Sequence, residues 1–161
     1  LAVKAALDPL TDGLSLKWPN DVYWHDRKIS GTLIETSISG KFVKDCIFGT
    51  GVNINQQEFC SDAPNPVSLR QITGCDTDID IVLDKVLEAF EDYYSMVLAG
   101  EYDHVAALYH DVLYRRTGMH AYSDGDGRFI ASVVRVDHDG CLVLRDEAGR
   151  EYAFKEVNYI I

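Results

Sequence analysis

A cation, two amides and a carboxylate fall at turn and strand-end positions early in this chain: Lys28, Asn20, Asn53 and Asp21. Holding a carboxylate or phosphate takes a well-aimed cation, and Lys28 is followed three residues later by Gly31, whose missing side chain lets a ligand lie against the backbone. A lone lysine near a hairpin turn is most often a solvated one; the neighbouring glycine and amides are what favour an anion site here. Asp21 reads either as a turn residue or as a ligand for Mg²⁺, which takes one or two carboxylates and leaves the rest of its octahedron to water and phosphate oxygens. Asn20 and Asn53 read either as turn closures or as the paired donor and acceptor that an adenine edge requires.

The stretch LKWPNDVYWHDRKISGTLIE, residues 16–35, must position most of these groups. An apolar alternation of Leu14, Leu16 and Trp18 stops at Pro19 and leaves Asn20 and Asp21 where a strand has just ended. Val22, Tyr23 and Trp24 restart an extended run, and His25 with Asp26 turns it. Strict alternation then sets Arg27, Ile29, Gly31, Leu33 and Glu35 on one face of the returning strand and Lys28, Ser30, Thr32 and Ile34 on the other. After a turn at Ser39-Gly40, the run KFVKDCIFGTGVNIN, 41–55, predicts a mostly buried strand interrupted by Gly49 and Gly51, where a ligand or another backbone can come close. Short turns between these segments predict an antiparallel meander.

Around that hairpin the pattern is mixed. Residues 2–7 read as the tail of a helix, so the chain is expected to be a fragment. Residues 56–76, with Pro64, Asn65 and Pro66 around Val67, Leu69 and Ile72, predict an irregular loop of the length that often covers a site. Thr77 is the expected N-cap of a long amphipathic helix reaching Gly100, followed by a shorter one over about 101–113. The period then changes to alternation, and segments at 119–122, 128–136, 141–145, 151–155 and 158–161 predict five short strands and a small barrel.

Composition narrows the class. With 161 residues, 47% of them apolar, the chain has material for one ordinary core or two small ones. It has no apolar run long enough to span a membrane and no signal peptide, so a cytoplasmic location is expected. Cys46, Cys60, Cys75 and Cys141 are scattered without metal-ligand spacing, which fits reduced thiols. The net charge of -11 is uneven: residues 1–60 carry six Lys+Arg against seven Asp+Glu, and residues 61–161 carry nine against nineteen. Such a surface repels phosphate backbones, which argues against nucleic-acid binding, whereas Lys17, Arg27, Lys28, Lys41 and Lys44 leave room for a small anion in the first part. Gly49-Thr50-Gly51 begins a dinucleotide fingerprint, but Ile54 stands at the third glycine position and no helix is predicted to open there. The five histidines show no zinc-protease spacing.

Three blocks, KWPND at 17–21, DRKISGTLIE at 26–35 and GTGVNIN at 49–55, together resemble the successive signatures of biotin protein ligases, and the likeness extends over essentially the whole chain. The resemblance implies an α+β fold: the carboxy-terminal part of a mixed-sheet ligase catalytic domain over 1–114, then an SH3-like barrel over 115–161. It implies activation of biotin with ATP to biotinyl-5'-adenylate, then transfer to a lysine of a biotin carboxyl carrier protein. On matching positions, Lys28 would be the catalytic cation beside the biotin carboxylate and the phosphate. Gly31, Leu33, Gly49 and Gly51 would line the biotin pocket with it, and Lys17, Asn20, Asp21 and Asn53 would serve ATP, Asp21 also Mg²⁺. The family's glycine- and arginine-rich loop has no counterpart here, so the chain by itself is expected to be an inactive portion kept soluble by self-association or by an amino-terminal segment. The rival expectations are a non-catalytic module that recruits a carrier protein and a lipoate ligase of related architecture.

Overall fold

The structure is a computed structural model and describes residues 1–40, 42–60 and 65–161. Lys41 of the expected cation group and Pro64 of the expected loop lie outside the described residues. Contacts divide the chain into two compact units, Leu1–Ser95 and Met96–Ile161. The architecture is α+β, with a separate antiparallel sheet in each unit.

The first unit opens with α1 (Ala2–Leu7) and continues into a meander of β1 (Leu14–Lys17), β2 (Asp21–Trp24), β3 (Arg27–Ser39) and β4 (Phe42–Val52), in the order β1-β2-β3-β4. Its core lies at the β1–β2 end, where Leu7, Leu16, Val22, Tyr23 and Ile29 are buried. The far end differs from expectation: β4 is exposed almost throughout, with Phe42 79% and Ile47 69% accessible, not mostly buried. β4 is the last strand of its sheet, and its Phe48 ring meets that of Phe90 on the long helix at 5.3 Å. Apolar composition favours a buried strand, but burial needs a neighbour on each face.

The stretch expected to be wholly irregular contains α2 (Leu69–Thr73). Ser68 starts it in an extended conformation: its Oγ accepts from Gln71 N, and Gln71 Oε1 accepts from Ser68 N, a reciprocal capping box. Gly74, at φ 81°, closes it. Ser68 is fully buried and its Oγ also donates to Gln56 O at 2.5 Å, tying the two ends of the preceding loop. The long helix, α3 (Ile79–Leu98), is capped one residue later than expected. Asp78 Oδ1 accepts from Asp80 N, while Thr77 exchanges two hydrogen bonds with the Asn55 side chain.

The second unit holds α4 (Tyr102–Asp111), β5 (His120–Asp124), β6 (Gly127–Val136), β7 (Leu142–Asp146), β8 (Glu151–Phe154) and β9 (Asn158–Tyr159). All five expected strands form, in the order β8-β7-β6-β5-β9 around a core of Tyr122, Ala131, Leu142 and Leu144. The sheet is open: among the described residues no pairing joins β8 to β9, so the expected barrel is not closed. Arg115 fastens the β5–β9 edge, donating to Ala121 O at 3.2 Å and Ile160 O at 2.9 Å. Burial pushes the Tyr122 phenol up to about 12, against the opposing charge of Arg115.

Replacing Ser68 with Ala removes a helix cap and a buried link at once, and is expected to lower unfolding free energy by about 1–2 kcal/mol, read as a shift of the urea midpoint.

Candidate functional site

Register arranges the candidate residues in rows. Lys17 opposes Asp21, Asp21 opposes Gly31 and Gly31 opposes Gly51, so these four share one face, with Leu33 and Gly49 forming the next row. The opposite face carries Leu16, Val22 and Ser30, all buried. One face therefore anchors the sheet, and the other presents a floor on which glycines leave the main chain bare.

Lys28 does not follow the expected alternation. The β2–β3 ladder pairs Val22 with Ser30 but Tyr23 with Lys28, so Ile29 is an extra residue in β3. This β-bulge breaks the period of two and returns Lys28 to the face of Asp21 and Gly31. Lys28 Nζ lies 2.6 Å from Asp21 Oδ1, with the lysine side chain 30% and the aspartate 13% accessible. Gly31 makes room for the pair: a Cβ there would stand 2.8 Å from both Cε and Nζ of Lys28 and 3.0 Å from Asp21 Oδ1.

These groups line a cavity of about 370 Å³ together with Asn20, Ser30, Thr32, Leu33, Gly51, Asn53, Phe59 and Pro66. The volume is at the lower end of the range for small-molecule pockets. Of the residues expected at the site, Lys28, Gly31, Leu33, Gly51, Asn20, Asp21 and Asn53 are brought together. Gly49 lies one row beyond, opposite Leu33, and Lys17 stands behind Asp21 with its Nζ 5.3 Å from the Tyr23 ring centroid. Burial, and then the negative charge of Asp21, push the Tyr23 phenol above its ordinary range.

Phe59 and Pro66 were not expected at the site; the only signal for them was the length of the loop that carries them. That loop is pinned to the lysine itself. Lys28 N donates to Asn65 O and Val67 N donates to Lys28 O, each at 2.9 Å, while Arg27 Nη2 donates to Pro66 O at 2.9 Å. Both amides also have structural bonds: Asn20 Nδ2 donates to Thr32 O, and Asn53 Nδ2 to Val67 O at 3.1 Å.

The arrangement suits capture of an anion by a cation that is neutralised by a carboxylate until the anion arrives. Among the described residues no group of three or more His, Cys, Asp or Glu side chains could hold a metal ion. Asp21, the carboxylate on the cavity wall, fits a Mg²⁺ carried largely by water and phosphate oxygens, not one held in a protein cage.

Comparison with known proteins shows what the strands carrying this site are similar to. Residues 2–53, which carry all three sequence blocks up to Asn53, match the model of the biotin/lipoate A/B protein ligase family. The curated relatives that the chain resembles are ligases of this kind. The chain is 30% identical over 149 residues to the biotin--[acetyl-CoA-carboxylase] ligase of Paracoccus denitrificans, covering 86% of this chain and 59% of that protein. It is 29% identical over 153 residues to the bifunctional ligase/repressor BirA of Bacillus spizizenii, covering 91% of this chain and 45% of that protein. The chain thus spans about half the length of the curated relatives it matches. Among solved structures, the biotin protein ligase of Aquifex aeolicus in complex with biotin and ATP aligns with a TM-score of 0.78 at 26% identity, over 99% of this chain and 68% of that one.

Gly31→Ala adds a methyl group where Lys28 and Asp21 meet. It is expected to part the ion pair and weaken binding of inorganic pyrophosphate, measured by calorimetry, about as much as Lys28→Ala does, with far-ultraviolet circular dichroism unchanged.

Proposed function

We propose that the whole protein is a biotin protein ligase, which activates biotin with ATP to biotinyl-5'-adenylate and transfers the biotinyl group to a lysine of a biotin carboxyl carrier protein. The observation that carries the reading is the Lys28 ammonium on the same cavity wall as Asn20, Asp21 and Asn53, above a floor opened by Gly31 and Gly51. Its support from relatives is the Paracoccus ligase and the Aquifex enzyme bound to biotin and ATP.

In this reading the biotin carboxylate attacks the α-phosphorus of ATP, and pyrophosphate leaves. Negative charge builds on oxygens around phosphorus, and Lys28, drawn from Asp21 to the incoming anion, stabilises it. The acceptor amine then attacks the mixed anhydride, adenylate departs, and Lys28 again faces the developing oxyanion. Gly31, Leu33, Gly49 and Gly51 form the biotin side. Asn20, Asp21 and Asn53 form the nucleotide side, with Lys17 behind them. Asp21 would hold a Mg²⁺ ion, which would supply charge neutralisation for the phosphates.

The domain reading goes with it: residues 1–114 as the carboxy-terminal part of the ligase domain and 115–161 as an SH3-like module. The five short antiparallel strands of the second sheet support the latter. A cytoplasmic setting agrees with the absence, among the described residues, of a helix long and apolar enough to cross a membrane. We place no nucleic-acid contact in this strongly acidic portion.

Lys28→Ala in the full-length protein is expected to lower biotinyl-adenylate formation by roughly 10²-fold or more, measured as biotin-dependent exchange of pyrophosphate into ATP. Retention of full activity would remove the basis for the reading. Lipoate is the competing substrate within the family, and its failure to compete with biotin in the same assay is the expected result.

A further inference from the structure

We propose that Asn53 is a positioning residue for Lys28, acting through the bulge from which that lysine projects. The inference rests on the reading of Lys28 as the anion-binding cation and gives Asn53 a task beyond facing the nucleotide.

Asn53 binds two separate segments with all of its hydrogen-bonding groups but one. Its main-chain N–H donates to Ile29 O at 2.8 Å, and its carbonyl accepts from Leu69 N at 2.9 Å. Its amide nitrogen donates to Val67 O at 3.1 Å and, at the longer distance of 3.4 Å, to Lys28 O. Two carbonyls on this side require the nitrogen and not the oxygen of the amide there, and they engage both of its hydrogens. The donor half of the side chain is thereby turned into the fold, and only its oxygen is left to face the cavity.

The two segments held in this way are those that define the lysine's direction. At a bulge the extra residue disrupts the regular ladder, so the local backbone takes its orientation from other partners. For Lys28 those partners are Asn65 O and Val67 N, and an isolated parallel bridge joins Lys28 to Pro66. Asn53 ties residues 28–29 to residues 67–69 from below, so the bulge and the strand that braces it move as one. Asp21 and Gly31 then receive an ammonium group that already points at them.

Aspartate has the size of asparagine but only acceptor atoms, so Asn53→Asp sets a carboxylate against two carbonyls while leaving an oxygen toward the cavity. In the full-length protein, biotinyl-adenylate formation is compared in wild type, Lys28→Ala, Asn53→Asp and the double variant. The expected result is a fall in turnover of about tenfold for Asn53→Asp in the wild-type background, with less than about a twofold further effect in the Lys28→Ala background. Equal losses in both backgrounds would overturn the proposal.

A second readout needs no ligase activity. Amide hydrogen exchange of the full-length protein at Lys28 and Val67 is expected to speed up by about tenfold or more in Asn53→Asp, with the β1–β2 amides unchanged as the measure of retained folding. Unchanged exchange at both positions would overturn the proposal whatever the activity, and Asn53→Ser, which keeps a donor, is expected to retain more protection than Asn53→Asp; the reverse order counts against it. A wild type that forms no adenylate would sink the ligase reading, while the exchange result would still decide whether Asn53 holds the bulge.

Discussion

The ion pair of Lys28 and Asp21, lying across the bare backbone of Gly31, is the contact on which the site depends. At 2.6 Å it holds a partly accessible ammonium beside a less accessible carboxylate, on the wall of a cavity floored by glycines. A cation kept in place by its own counter-ion is ready for a second anion without standing uncompensated beforehand. Removing either partner would leave a charge facing a partly desolvated wall, which costs more than the pair itself contributes. The geometry also limits the floor, since any side chain at position 31 would occupy the space in which the two charges meet.

That contact exists because the sheet is irregular at one point. A regular β3 would send Lys28 toward Ser30 and the buried face, where an ammonium group would lose its hydration among Leu16 and Val22. The extra residue at Ile29 avoids this. It lets two neighbours, Ile29 and Ser30, both be buried while Lys28 and Gly31 face the cavity. The segment at 65–67 braces the bulge through the Lys28 main chain and supplies Pro66 to the cavity wall. The same segment leads into a fully buried Ser68 that caps α2, so the wall of the site and the start of a helix are set by one short stretch.

Away from the site the fold is less well covered. Ile34, Ile38, Phe42, Val43 and Ile47 on the long hairpin are all more than half exposed, as are Ile79 and Ile81 on α3. Their apolar character is plain in the sequence. It states what a residue would gain by burial, but not whether this chain supplies the surface to bury it against.

Local chemistry decided much of this protein from its sequence alone. Alternating apolar residues and turn residues set the meander, the five later strands and the long helix to within a few positions, because strand and helix periods are properties of neighbouring residues. The three sequence blocks likewise named the cavity residues Lys28, Gly31, Asn20, Asp21 and Asn53. Only the tertiary structure decided which way Lys28 points, since a bulge is a mismatch between two strands and neither strand encodes it by itself. The same holds for Pro66 and the capped helix after it, whose places come from bonds between residues 28, 53 and 65–69, for Phe59 on the cavity wall, and for β4, whose exposure depends on what lies against it.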